Sequence, residues 1–316
     1  MGDLHSKIFK SMSDAVIIKG LTKTYKGGLT ALRGVDLVVK EGEFFALLGP
    51  NGAGKTTIIG ILTGLVNKTS GNVSIFGNDL DTSLEKVKQC IGVVPQEFNF
   101  DAFGSLFDTV VNQGGFYGLS RKVALERALK YLTVLGLYEK RNHPARTLSG
   151  GMKRRLMIAR ALVHEPKLFI LDEPTAGVDI ELRRGMWDFL EGLIKEGKTI
   201  ILTTHYLEEA EQLAEKVAVI KDGLIVAEGS VKELLGTLQS QTFVLDIAGM
   251  VNEGVRKALA HFKPVSVDSN TLEVTLAKGE SLNQIVQELD RAGVGVTSMR
   301  NKTNRLEEFF VSITNK

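Results

Sequence analysis

GPNGAGKTT, residues 49–57, decides how the rest of the chain is read. It fits the spacing G-x-x-x-x-G-K-[ST] through Gly49, Gly54, Lys55 and Thr56, with Pro50, Asn51, Gly52 and Ala53 inside the loop and Thr57 just after it. Glycines let a backbone turn tightly and aim its N–H groups at phosphate oxygens. FFALL (44–48) reads as a strand before the loop, and apolar residues at 58, 61, 62 and 65 mark a helix after it. That helix places the positive end of its dipole at the same spot. Lys55 can reach the β- and γ-phosphates of a nucleotide, and Thr56 can ligate Mg²⁺. A glycine-rich turn with a chance lysine is the alternative, and the strand, loop and helix in succession argue against it.

Around this loop the chain has 316 residues, which suits about two domains, and 43% hydrophobic residues, ample for a core. A formal net charge of +2 implies no global pull toward nucleic acid or an anionic membrane. The single cysteine, Cys90, cannot form an internal disulfide, which suits a reducing compartment. No apolar run reaches the roughly 18–20 residues of a membrane span, and the start lacks a secretory signal, so a soluble cytosolic chain is expected. MGDLHS (1–6) matches a myristoylation pattern and NKT (67–69) a glycosylation sequon; both read better as chance in a loose extension and a loop.

Residues 1–14 read as that N-terminal extension. From Ala15, short alternating strands surround the turn KEGE, and GNVSIFG and CIGVVPQ add two more. A helical insertion is expected over about 97–163. Strands then return in KLFILDE, TIILTTH and KVAVIKDGLIVAEG, the last with an Asp-Gly hairpin turn at 222–223. Unbroken Ile, Leu and Val strands between helices suit a parallel sheet covered on both faces. The first domain is expected over 15–235. The pattern restarts near 235–241, and residues 242–316 read β-α-β-β-α-β, a small α+β ferredoxin-like domain, with RLEEFFVSI as a closing helix.

LFILDEP (168–174) is a second chemical centre. Four apolar residues make a buried strand with Asp172 at its end, where a carboxylate can hold Mg²⁺. Neighbours on a strand point to opposite sides, so Glu173 can face an attacking water as general base while Asp172 serves the metal. Alone, the pair would read as solvated acids. LSGG (148–151) holds no acid, base or metal ligand, yet Met152, Leu156, Ala159 and Leu162 follow at helical spacing. Ser149 is therefore an N-cap, and Gly150 and Gly151 leave the first amides unshielded: either a well-capped helix or a second anion site. One compact domain cannot easily wrap a nucleotide with both sites, so a second copy could supply one of them. Lys153, Arg154 and Arg155 read as a solvated basic helix face rather than a nucleic-acid patch, since no aromatic residues interleave with them.

Together these residues resemble the ATP-binding subunits of ABC transporters over about Ala15–Glu228. GPNGAGKTT looks like Walker A, LFILDE like Walker B, and LSGGM like the signature. VPQE resembles the Q-loop with Gln96, AGVD the D-loop with Asp179, and TTH the switch with His205, all in the family's order. Over nearly the whole chain the resemblance is to YadG-like ATP-binding subunits of bacterial export systems, and the drug-resistance type also carries a small C-terminal extension. AGVD departs from the SALD of many relatives but keeps the aspartate.

The resemblance implies a RecA-like core with an antiparallel β subdomain and a helical subdomain. It implies ATP and Mg²⁺ as cofactors, with Thr56, Gln96 and Asp172 toward the metal. Tyr25 would stack on adenine, His205 would touch the γ-phosphate, and Glu173 would serve as base. It further implies a head-to-tail homodimer in which Ser149, Gly150 and Gly151 of one chain complete the ATP site of the other. Separate membrane-spanning permease subunits would be driven from the cytoplasmic face of a bacterial inner membrane, with no nucleic acid involved. The alternatives are an importer ATPase, or a non-transport relative acting on ribosomes or DNA. Against the latter, the chain has one cassette and no heptad run in the roughly 90 residues between Lys55 and the signature.

Overall fold

The computed structural model describes residues 13–175, 180–302 and 304–314. The chain forms two compact units, divided between Glu228 and Gly229.

The first unit opens with β1 (Asp14–Thr24), β2 (Thr30–Lys40), β3 (Phe44–Leu48) and α1 (Lys55–Leu62). It continues through β4 (Ser70–Ile75), β5 (Asn78–Asp79), α2 (Leu84–Cys90) and β6 (Ile91–Val94). Three helices follow, α3 (Leu106–Phe116), α4 (Arg121–Val134) and α5 (Gly150–Leu162). The unit closes with β7 (Leu168–Asp172), α6 (Ile180–Lys195), β8 (Thr199–Thr203), α7 (Leu207–Leu213), β9 (Lys216–Lys221) and β10 (Leu224–Ser230), which runs onto the boundary.

Its central sheet has the order β10-β9-β3-β8-β7-β6. The pairs β9-β3, β3-β8, β8-β7 and β7-β6 are parallel. Every residue of β3, β7 and β8 is buried, as expected of parallel strands covered on both faces. The edge strand β10 alternates exposed and half-buried residues. It follows Asp222 and Gly223, whose φ values of 50° and 78° are both left-handed, as a primed hairpin turn requires. The second sheet, β2-β1-β4-β5, is antiparallel. Val16, Ile18, Val35 and Leu37 from it share one core with Ile58, Ile61 and Leu62 of α1 and with Phe45, Leu47 and Ile170 of the central sheet. The helix behind the phosphate loop is thus clamped by apolar contacts with both sheets, which fixes where its N-terminus points.

Residues 97–163 contain no named strand. Ser105, Ser120 and Ser149 cap α3, α4 and α5 by accepting from the backbone N–H of Asp108, Val123 and Met152.

The second unit runs α8 (Val231–Leu235), β11 (Ser240–Ile247), α9 (Glu253–Ala258), β12 (Val265–Ser266), β13 (Thr271–Ala277), α10 (Leu282–Arg291), β14 (Val296–Asn301) and α11 (Arg305–Thr314). Its sheet order β12-β13-β11-β14, antiparallel throughout, is the ferredoxin-like arrangement. Phe243, Leu245, Leu272, Val274, Ile285 and Leu289 form a core of its own. Two capping boxes, Ser230 with Glu233 and Ser281 with Gln284, start α8 and α10. No helix among the described residues is long and apolar enough to cross a membrane.

Candidate functional site

The loop after β3 is shaped by close approach. A Cβ on Gly49 would lie 2.4 Å from the Ile220 carbonyl oxygen, and one on Gly54 would lie 2.9 Å from that of Ala31. Gly54 also has φ 117°, which a side chain disfavours, and it is the N-cap of α1. Lys55, only 6% exposed, folds back so that Nζ donates to the carbonyls of Gly49 (2.6 Å) and Pro50 (3.1 Å). Burial lowers its affinity for the proton, and the carboxylates of Glu173 and Asp172 pull it back up. Asn51, Gly52 and Thr56 are exposed at the rim, Ala53 is buried, and Thr57 is half-buried. The loop can offer backbone N–H groups and one ammonium to a polyphosphate.

Tyr25, 38% exposed, lies at the same helix: its OH is 3.2 Å from Thr57 Oγ1, and Lys23 Nζ sits 4.8 Å from its ring centroid. The ring is available for stacking and is anchored to α1 at one edge.

Asp172 ends β7, two positions along the central sheet from β3. It is 8% exposed and accepts from Thr203 Oγ1 at 2.5 Å. Burial raises its pKa and Glu173 adds to the rise, while the Thr203 hydroxyl, Lys55 and Arg154 oppose it. A carboxylate in that setting is well matched to a cation beside it.

Glu173 corrects one expectation. Strand alternation is not what separates it from Asp172, because Glu173 lies past the strand end with φ 48°, a left-handed backbone for a bulky side chain. The kink is held by its N–H donating to the Thr203 carbonyl at 2.9 Å. Its carboxylate is gripped from two more segments. Gln96 Nε2 donates to Oε2 at 2.9 Å, and His205 Nδ1 lies 3.3 Å from the same oxygen. Lys55, Asp172, Glu173, Gln96 and His205, from four separate segments, are thereby brought into one neighbourhood.

Ser149, Gly150 and Gly151 stand apart as a solvent-facing element. Ser149 and Gly150 are exposed, the Ser149 hydroxyl accepts from Met152 N–H at 3.3 Å, and a Cβ on Gly150 would meet open space. Asp179 lies outside the described residues.

Several supporting residues escaped the sequence reading. Arg154 is no solvated residue: it is 3% exposed, and its two Nη atoms donate to the carbonyls of Pro95 (2.7 Å) and Gln96 (2.9 Å). The signal was its spacing, four before Ile158 and seven before Ala161, both buried. Glu209, 1% exposed, accepts from Thr175 Oγ1 and, at 2.8 Å, from Thr204 Oγ1, tying the segment after Glu173 to the residue before His205. It shares the inner stripe of α7 with Leu213.

Residues 32–176 match the family model described as ABC transporter. The chain is 33% identical to the linearmycin resistance ATP-binding protein LnrL of Bacillus subtilis, over 94% of this chain and 97% of that one. It is 35% identical to the Nod factor export ATP-binding protein I of Cupriavidus metallidurans, over 96% and 99%. Among solved structures, an ATP-binding cassette in a dimeric, post-hydrolysis state with ADP and Pi matches with a TM-score of 0.64 and 33% identity, covering 68% of this chain and 98% of that one.

Proposed function

The chain belongs to the ATP-binding subunits of ABC transporters and so binds and hydrolyses ATP, and on that premise we propose that it powers export through separate membrane-spanning permease subunits. The resemblance to resistance and export proteins extends over 94% and 96% of the chain, into the C-terminal unit, which supports export over import. Peripheral attachment at the cytoplasmic face of a bacterial inner membrane follows from that role.

The observation that carries the chemistry is the Glu173 carboxylate, held between Gln96 and His205 beside the Lys55 loop. The Walker A residues Gly49–Thr57 hold the triphosphate, Lys55 exchanging its two loop carbonyls for phosphate oxygens, with Tyr25 against the adenine. Asp172, Thr56 and Gln96 are the oxygen-bearing groups that would hold Mg²⁺, which when bound neutralises phosphate charge. Glu173 accepts a proton as the water oxygen bonds to the γ-phosphorus. The bond from that phosphorus to the β–γ bridging oxygen breaks, leaving ADP and phosphate. His205 shares the Glu173 oxygen and is placed to contact the γ-phosphate. Ser149 and Gly150, both exposed, and the half-buried Gly151 complete the ATP site of a partner chain in a head-to-tail homodimer, with Asp179 as a further nucleotide-binding residue. ATP favours the closed dimer, and hydrolysis removes the phosphate that bridges the halves.

The test is a pull-down from detergent-solubilised native membranes with tagged Glu173→Gln and Mg²⁺-ATP. A multi-span membrane protein in near-equal amount is expected; ribosomal or DNA-bound partners without one would contradict the transport reading.

A further inference from the structure

Arg154 lies just over one turn into α5, the helix whose first turn carries Gly150 and Gly151. Its guanidinium grips two successive carbonyls, Pro95 and Gln96, and sits 5.1 Å from the Phe98 ring. Farther along α5, Arg160 donates to the Asn99 carbonyl at 2.8 Å and to the Asn99 side-chain oxygen. Residues 95–99 are thus strapped at both ends to one helix. On that strapped segment the Gln96 side chain reaches out to Glu173. Three links therefore join the LSGG helix to the carboxylate: α5 carries Arg154, Arg154 holds the Gln96 backbone, and the Gln96 amide holds Glu173.

The arrangement is costly for folding alone. A guanidinium loses hydration on burial, its partners here are carbonyls rather than a carboxylate, and its Nε is buried without a hydrogen bond. What it supplies is a rigid planar fork that sets the two carbonyls in a fixed geometry, which an ammonium on a freely rotating stem does less well.

We propose that Arg154 is a positioning residue for ATP hydrolysis, tying the Gln96 backbone to the LSGG helix so that Glu173 is held in its pose toward the attacking water. The proposal rests on the reading of Glu173 as the base. The Arg154 hydrogen bonds run to the carbonyls of Pro95 and Gln96, outside the Walker A loop, so its loss leaves the hydrogen bonds of that loop in place. It should slow turnover without weakening ATP binding.

The experiment measures kcat, KM and ATP affinity of the full-length protein as wild type, Arg154→Met, Arg154→Lys, Gln96→Ala and Arg154→Met/Gln96→Ala, with Glu173→Gln alongside. Arg154→Met is expected to lower kcat by about 10- to 100-fold, the range for loss of an orienting contact, with KM and affinity within about threefold. Arg154→Lys, keeping the charge without the fork, should stay impaired, and the double variant should be no slower than Gln96→Ala. Wild-type kcat in Arg154→Met while Glu173→Gln is inactive would overturn this proposal alone. So would full activity in Arg154→Lys, which would make charge near Asp172 sufficient, or losses that multiply in the double variant. Normal turnover in Glu173→Gln would remove the base assignment and this proposal with it. Should Arg154→Met not fold, Arg154→Lys carries the same comparisons.

Discussion

The side-chain amide of Gln96 donates to Oε2 of Glu173 at 2.9 Å across 77 positions of sequence. That bond joins the loop after β6 to the end of β7, and His205 Nδ1 approaches the same oxygen from the end of β8. Three neighbouring parallel strands thus deliver one residue each, Gln96, Glu173 and His205, to one cluster, at the end of the sheet where open α/β folds place their ligands.

Glu173→Gln keeps the shape and an oxygen that can accept from Gln96, but it cannot take a proton. Turnover is expected to fall by about 10²–10⁴, with ATP binding preserved. Steady-state hydrolysis and equilibrium binding of a fluorescent ATP analogue check the two halves; near-normal turnover would remove Glu173 as base.

Gly49→Ala pushes a methyl to 2.4 Å from the Ile220 carbonyl, a backbone atom that cannot swing aside. Destabilisation of about 1–3 kcal/mol is expected from the overpacking, together with weakened ATP binding. Urea denaturation with and without nucleotide measures both.

His164 supplies a pH dependence. Its ring stacks on Tyr117 at 3.5 Å between centroids, and Nε2 bonds the Ile91 carbonyl at 2.9 Å. Nδ1 is buried without a hydrogen bond, so a second ring proton has no acceptor. Burial pushes the pKa from 6.5 down to about 4, and the nearby Arg127 and Lys198 charges add to the fall. Between those values the unfolded chain binds a proton that the folded chain refuses. The stability that depends on neutral His164 is complete above about pH 6.5 and is lost as pH falls toward 4, by up to about 3 kcal/mol. Urea midpoints between pH 7.5 and 5 should fall for the wild type. They should fall less for His164→Gln, which does not titrate; parallel profiles would contradict the assignment.

What the sequence made legible was what local rules control. The phosphate loop, the Ser149 cap, the Asp222-Gly223 turn and the buried parallel strands each follow from adjacent residues. α2 escaped notice because a seven-residue helix with only Val87 buried has no stripe to display. The left-handed turn at Glu173 was invisible because Thr203, 30 residues on, holds it. Arg154 looked like one of three basic residues on a wet face. Only the fold shows that its position faces the carbonyls of a loop 58 residues away.

The most direct test of the central claim, that LSGG serves another chain's nucleotide, is the solution mass by light scattering of Glu173→Gln with saturating Mg²⁺-ATP, beside Glu173→Gln/Ser149→Arg. The first is expected to be a dimer, and the second a monomer that still binds ATP. A double variant that dimerises equally well, or a monomer that has lost ATP binding, would mean that LSGG does not complete a partner's site.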